Sequence, residues 1–154
     1  MPKITKPAWA DEADPDHPVL GTGNGPYRYS ILGETGGLSQ FGAHLEELQP
    51  GSRSSYRHWH ACEDEMIYVL NGEVVLIEGS ETVLTPGDIA CWPAGAPIGH
   101  CLENRSGQPA TYLTVGTRKP DDVIHYPDND LITHKTGDLR RYTHADGRER
   151  RICA

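Results

Sequence analysis

Apolar residues recur along this chain in short runs, and turn signals interrupt them at close, regular intervals. Tyr27 to Gly33 alternates apolar and polar positions and predicts a first strand, closed by a Gly36-Gly37 turn. Gln40 to Leu48 fits either a short amphipathic helix or a strand by period; its length and the flanking Gly and Pro favour a strand. Further strands are predicted over Ser54 to His60, Glu65 to Leu70, Glu73 to Glu78, Thr82 to Leu84, Ile89 to Trp92, Ile98 to Glu103 and Ala110 to Val115. Asn71-Gly72 lies between two apolar runs and predicts a β-hairpin, because both turn positions favour positive φ. Gly79-Ser80 and Pro86-Gly87-Asp88 supply further tight turns. No segment sustains a 3.6-residue period. The pattern is that of an all-β sandwich or barrel.

The two ends read differently. Residues 1–26 contain Pro2, Pro7, Pro15, Pro18 and Pro26 with Gly21, Gly23 and Gly25, which predicts an extended N-terminal arm. Beyond Gly116 the alternation weakens, and Asp121-Asp122 and Tyr126-Pro127-Asp128 look turn-like. A C-terminal extension with one or two short strands is expected there, ending in a frayed basic tail from about Asp146. The chain thus divides into an arm (1–26), a β core (27–116) and an extension (117–154), a length suited to one domain.

Charge narrows the partners. The net charge of -8 disfavours nucleic acid, whose phosphates need clustered cations. From Lys135 to Arg151 there are six basic and three acidic residues, so this segment carries +3 and the remainder -11. It is either a solvated tail or a basic arm that docks on an acidic surface. No apolar run is long enough to span a membrane, and the N-terminus lacks the apolar stretch of a signal peptide, so a cytoplasmic location is expected. Cys62, Cys91, Cys101 and Cys153 form no Cys-x-x-Cys pair and are expected to be free thiols.

The candidate chemistry is concentrated in His58-Trp59-His60-Ala61-Cys62-Glu63-Asp64-Glu65. Histidines at i and i+2 on a strand share a face. With Glu65 on the next strand and His100 downstream, three imidazoles and a carboxylate make a shell for a divalent transition metal, with positions left for water or substrate.

Gly51, His58, His60, Glu65 and Gly72, followed by Gly87, Pro93, Gly95, His100 and Asn104, resemble the two motifs of the cupin superfamily in order. The resemblance covers roughly residues 28–116. Four residues rather than two separate Gly95 from His100, a departure from the usual spacing. The segment Tyr112 to Leu131 is similar to small bacterial cupins labelled sugar-phosphate isomerase-like. The resemblance implies a cupin double-stranded β-helix, a jelly-roll barrel with a metal inside one open end. It implies His58, His60, Glu65 and His100 as ligands, Mn, Fe or Ni favoured and Zn or Co compatible, and a homodimer.

Other residues carry competing readings. Glu63 and Asp64 are expected in a solvated turn, and Cys62 in the turn beside the shell. Tyr56 shares parity with the histidine pair and is the candidate catalytic side chain, offering a hydroxyl to substrate or simply filling the mouth. Arg57 and Trp59 take the opposite face. Trp92 is expected to pack, His44 to be a candidate neighbour of the shell, and His17, His125, His134 and His144 to lie on the surface. The leading function is a metal-dependent isomerase, epimerase or lyase acting on a small polar or sugar-like molecule. The alternatives are an iron-dependent dioxygenase and a non-catalytic sensing module. Fold alone does not choose among them.

Overall fold

The computed structural model describes residues 3–152, which leaves Pro2 and Cys153 outside. Among the described residues the chain is almost entirely β, with one 3-10 turn at Glu34–Gly36. The strands are β1 (Ala10–Glu12), β2 (Tyr27–Ile31), β3 (Phe41–Leu48), β4 (Trp59–His60), β5 (Glu65–Asn71), β6 (Val74–Ile77) and β7 (Glu81–Leu84). They continue as β8 (Ile89–Trp92), β9 (Cys101–Glu103), β10 (Ala110–Thr117), β11 (Asp121–Tyr126), β12 (Leu131–Thr136) and β13 (Leu139–Thr143). One antiparallel sheet runs β1-β2-β3-β10-β5-β8; two smaller ones run β13-β12-β11-β4 and β7-β6-β9. The bridges His58–His100 and Arg53–Glu103 join the smaller sheets along the irregular segment 53–58.

The inner face changes character along its strands. β3 places Gly42, His44, Glu46 and Leu48 on one side, and β10 answers with Gly116, Thr114, Tyr112 and Ala110 in register. Leu48, Ala110, Tyr112, Ile67 and Val69 are buried at one end, where Val74, Leu76, Leu84, Trp92 and Leu102 join them in one core. Each such large apolar side chain contributes roughly 1.5–3 kcal/mol by burial. The polar residues of the same strands collect at the other end, with Glu65 opposite Gly116. Core and candidate site are therefore two ends of one interior.

Several expectations are corrected. Asn71-Gly72 joins no hairpin: β5 pairs with β10 and β8, and β6 pairs with β7 and β9. Both edges of β5 are occupied, so the chain crosses between sheets at this corner. Gly72 has φ 78°, and an added Cβ would sit 2.7 Å from Ala110 Cα, so a side chain fits neither the conformation nor the space. The expected strand over Ser54 to His60 is reduced to Trp59–His60.

The C-terminal region holds three strands rather than one or two, and β11 pairs directly with β4, Ile124 opposite His60. Within the described residues the basic tail, expected to fray from about Asp146, is tied back as far as Arg150. Arg150 N–H donates to Tyr142 O at 2.8 Å, and its guanidinium donates to Asn129 O and Asp130 O at 2.6 and 2.9 Å. The N-terminal arm is tied down as well. β1 pairs with β2, and the Asp14 carboxylate accepts the amide N–H groups of Gly23, Asn24 and Gly25. Val19 packs with Leu131 and Tyr142.

Candidate metal centre

Three imidazoles meet at the polar end of the interior, and each is held through Nδ1. His58 Nδ1–H donates to Tyr56 O at 2.9 Å, and His100 Nδ1–H donates to Ile98 O at 3.0 Å. His60 Nδ1–H donates to Asp122 Oδ2 at 2.6 Å. Carbonyls and carboxylates only accept, so these contacts place a proton on each Nδ1 and leave Nε2 as the nitrogen available to the cluster. The ring centroids of His60 and His100 lie 5.1 and 5.5 Å from that of His58. Trp92 stacks on His100 at 3.7 Å with its ring nearly parallel, and the indole N–H donates to Glu78 Oε1 at 2.6 Å. The expected packing role of Trp92 therefore includes orienting a histidine.

His100 Nε2 lies 3.0 Å from Glu65 Oε2. With Nδ1 carrying a proton toward Ile98, two acceptors face each other there, and a proton or a cation must lie between them. Burial alone would raise the Glu65 pKa. The His100 hydrogen bond and the charges of His58, His100 and His60 outweigh it and bring the pKa down to about 2. Burial, helped by neighbouring His60 and His100, lowers the His58 pKa to about 4 against the opposing pull of Glu65. Ligand atoms of His58, Glu65 and His100 lie within 4.8 Å of one another, and those of His60, Glu63 and Asp122 form a second such group.

The second group has a different character. Glu63, expected in a solvated turn, is buried and paired with Lys135 Nζ at 2.7 Å, and it accepts the Lys119 amide at 2.8 Å. Asp122 is buried and divides its oxygens between His60 Nδ1 and the Cys62 amide. This group backs His60 from behind. Asp64 remains exposed and accepts the Ala94 amide. The Cys62 thiol is exposed and belongs to neither group; Cys62, Cys91 and Cys101 are free thiols.

Tyr56 is directed away from the cluster. Its hydroxyl lies 2.8 Å from Thr22 O, 3.1 Å from Leu20 O and 3.3 Å from Gly21 O, and it closes the N-terminal loop over the cavity beside His58. His44 pairs with Glu34 at 3.3 Å on the rim. The histidines expected on the surface all have partners. His17 Nδ1 accepts the amides of Val19 and Leu20, His125 stacks on Trp59 at 4.0 Å, His134 meets Thr143 Oγ1, and His144 meets Asp130. Asn104 is a buried turn clamp, its amide donating to Leu48 O and Gln108 O.

Two residues beside the cluster lie outside the sequence expectation, Asp122 and Glu46. Asp122 was hidden in a segment that looks like a turn, and only the pairing of β11 with β4 brings it to His60. Glu46 shares strand parity with His44 and Leu48, a signal that was present. Its Oε2 accepts the Tyr112 hydroxyl at 2.8 Å inside the barrel. Burial raises its pKa, with the Tyr112 bond opposing. Glu46 borders two internal cavities: one of about 190 Å³ with His58 and His100, and one of about 180 Å³ with His44, His60 and Arg118. Glu65 lines both.

Comparison with known proteins agrees with this arrangement. The cupin domain family matches residues 44–116. A crystal structure from Silicibacter pomeroyi, named as a sugar phosphate isomerase from the cupin superfamily, is 41% identical. It covers 81% of this chain and 80% of its own, with a TM-score of 0.78. The chain is a cupin. A second solved cupin-like structure, from Acidithiobacillus ferrooxidans and provisionally named a sugar phosphate isomerase, is 25% identical, with 82% and 81% coverage and a TM-score of 0.74. The polyketide cyclase RemF from Streptomyces resistomycificus shares the fold at 22% identity, 79% and 83% coverage and a TM-score of 0.61. A search of curated proteins gives no match. This cupin therefore has the all-β double-stranded β-helix expected of it. Among the described residues, no helix is long and apolar enough to cross a membrane.

Proposed function

We propose that this cupin is a metal-dependent isomerase or epimerase that moves a proton on a small hydroxylated, sugar-like molecule. The observation that carries the reading is the cluster of His58, Glu65 and His100, with the His60 ring beside His58 and each imidazole held through Nδ1, next to a cavity walled by the half-buried carboxylate Glu46. The donor set of imidazoles and one carboxylate suits Mn, Fe, Co, Ni or Zn, and a shell of four protein ligands that still leaves room for water or substrate favours Mn, Fe or Ni, which take five or six ligands readily. His58, His60, Glu65 and His100 would hold the ion. When bound, such an ion polarises a carbonyl or hydroxyl oxygen as a Lewis acid.

The chain's own residues supply the rest. In isomerisation Glu46 takes the proton from the carbon beside the carbonyl and returns it to the former carbonyl carbon of the enediol, while the hydroxyl proton of the first carbon passes to the former carbonyl oxygen. Tyr112 hydrogen-bonds Glu46 Oε2 and orients the carboxylate at the cavity wall. Burial raises the Glu46 pKa, with the Tyr112 hydrogen bond opposing. Tyr56 acts through the loop it closes. The neighbours named as sugar phosphate isomerases support this substrate class.

The test is to load the protein with each metal and follow exchange of carbon-bound hydrogen in D2O for aldose and ketose phosphates by NMR, with O2 uptake measured in parallel. Metal-dependent exchange that is lost in Glu46→Gln while metal content persists supports the reading. Oxygen uptake without exchange would replace it with oxygenase chemistry. Tight ligand binding without either would favour a sensor.

We also propose that the protein pairs as a homodimer through the outer face of the large sheet. Leu113 lies beside Leu45 and Tyr68 there, Val115 beside Ala43 and Met66, and Ile89 and Phe41 are exposed at its margins. A depression of about 460 Å³ between Phe41, Met66, Cys91 and Val115 adds relief to this apolar surface.

A further inference from the structure

The rung of the large sheet that carries Glu65 lacks side chains at two of its inward positions. Gly116 pairs with Glu65 on one side and with Gly42 on the other. The space over Gly42 is taken by Arg118: a Cβ on Gly42 would collide with the guanidinium. The guanidinium thus sits over Gly42 in the wall of the cavity that reaches His60 and Glu65. Its backbone N–H donates to Gln40 O at 3.0 Å, which fixes the root of the side chain.

The charges around this mouth are arranged for exchange. Glu34, on the exposed 3-10 turn, meets Arg118 Nη2 at 3.3 Å and His44 Nε2 at 3.3 Å. Both contacts are long and water-accessible, so they are weak. The other carboxylates near the cavity are engaged: Glu63 with Lys135, Glu46 with Tyr112 and Asp64 with the Ala94 amide. Among the described residues that line the cavity, Arg118 is the one fixed cation, and Glu34 is the group that an incoming anion would displace.

We infer that Arg118, with His44 beside it, is an anion subsite that takes the phosphate group of a phosphorylated substrate, with Glu34 as the internal competitor. The inference rests on the isomerase reading for the identity of the reacting centre. Gly42, Gly116 and Glu65 are successive across three strands, so the guanidinium stands roughly 10 Å from the Glu65 backbone. That separation places the phosphate at the mouth and the carbon chain between it and the histidines. The planar guanidinium suits bidentate phosphate binding.

Calorimetric titration of inorganic phosphate tests this, on metal-free and metal-loaded protein, with metal content measured separately. Phosphate binding to the metal-free protein is expected to weaken roughly tenfold or more in Arg118→Gln, with Arg118→Lys intermediate. Glu34→Gln is expected to tighten it. Gly42→Ala, which displaces the guanidinium without changing charge, should resemble Arg118→Gln. Thermal melts establish that each variant folds. Equal phosphate affinity in Arg118→Gln and wild type, or no phosphate binding to metal-free wild type, would overturn the subsite. Loss of metal binding with Arg118-dependent phosphate binding intact would instead count against the isomerase reading and leave the subsite standing.

Discussion

Asp122 offers the sharpest check on how the histidines are held. Its Oδ2 accepts His60 Nδ1–H at 2.6 Å and its Oδ1 accepts the Cys62 amide at 2.8 Å, with the side chain fully buried. Asp122→Asn keeps the shape but converts one oxygen into an N–H donor. Two donors, His60 and the Cys62 amide, then compete for one acceptor. If the amide of Cys62 retains it, the Asn NH2 faces His60, and the ring must move its proton to Nε2. That nitrogen then carries hydrogen where a metal lone pair is needed. Removing such an orienting partner costs typically 10–100-fold in metal affinity, or about 1.4–2.7 kcal/mol. Stability should change less, because the substitution also removes a buried charge. Asp122→Ala should be worse for the fold, leaving two donors unpaired at about 1–3 kcal/mol each. The assay is a chelator-competition titration of metal, with imidazole tautomers read from 15N NMR of the metal-free protein. Wild-type affinity in Asp122→Asn, or a His60 proton that stays on Nδ1 together with lost affinity, would refute the orienting role.

Three further outcomes are expected. Because the folded His58 pKa lies at about 4, the unfolded chain binds more protons than the folded one below about pH 6.5, so metal-free protein should lose stability as pH falls through that window, by up to about 3 kcal/mol from this residue. His17, His125 and His134 shift the same way through burial, so the His58 share is the difference between wild type and His58→Gln in urea melts at pH 7, 5.5 and 4.5; identical pH profiles would contradict it. Trp92→Phe should weaken metal affinity roughly 2–10-fold by loosening the stack on His100 and freeing Glu78, which equilibrium dialysis would detect, and unchanged affinity would reduce Trp92 to a core filler. Light scattering should find a dimer at micromolar concentration that Ile89→Lys and Val115→Lys shift toward monomer, whereas a monomeric wild type would discard the outer-face interface.

The strand pattern and the candidate cluster were legible in the sequence for a local reason. Alternation on β3, β5 and β10 is imposed by one buried face, and each strand carries that record in its own residues. The histidine pair, Glu65 and His100 stood out because imidazoles and a carboxylate in that order have few other uses. Partners were a different matter. Asn71-Gly72 has hairpin chemistry, yet β5 had both edges filled by strands distant in sequence, and no local signal reports that. Asp122, Lys135 and the returning Arg150 looked like turn and tail residues. Their roles arise only when β11 adds to β4 and brings the C-terminal strands behind the histidines. Parity misdirected Tyr56, because the segment before β4 leaves the strand conformation and the side chain turns to the arm. Residue type and alternation are properties of the chain taken a few residues at a time, and they determined the fold class and the candidate shell. Which edge pairs with which, and which carboxylate stands behind which imidazole, depends on closing long loops, and tertiary structure alone decided it.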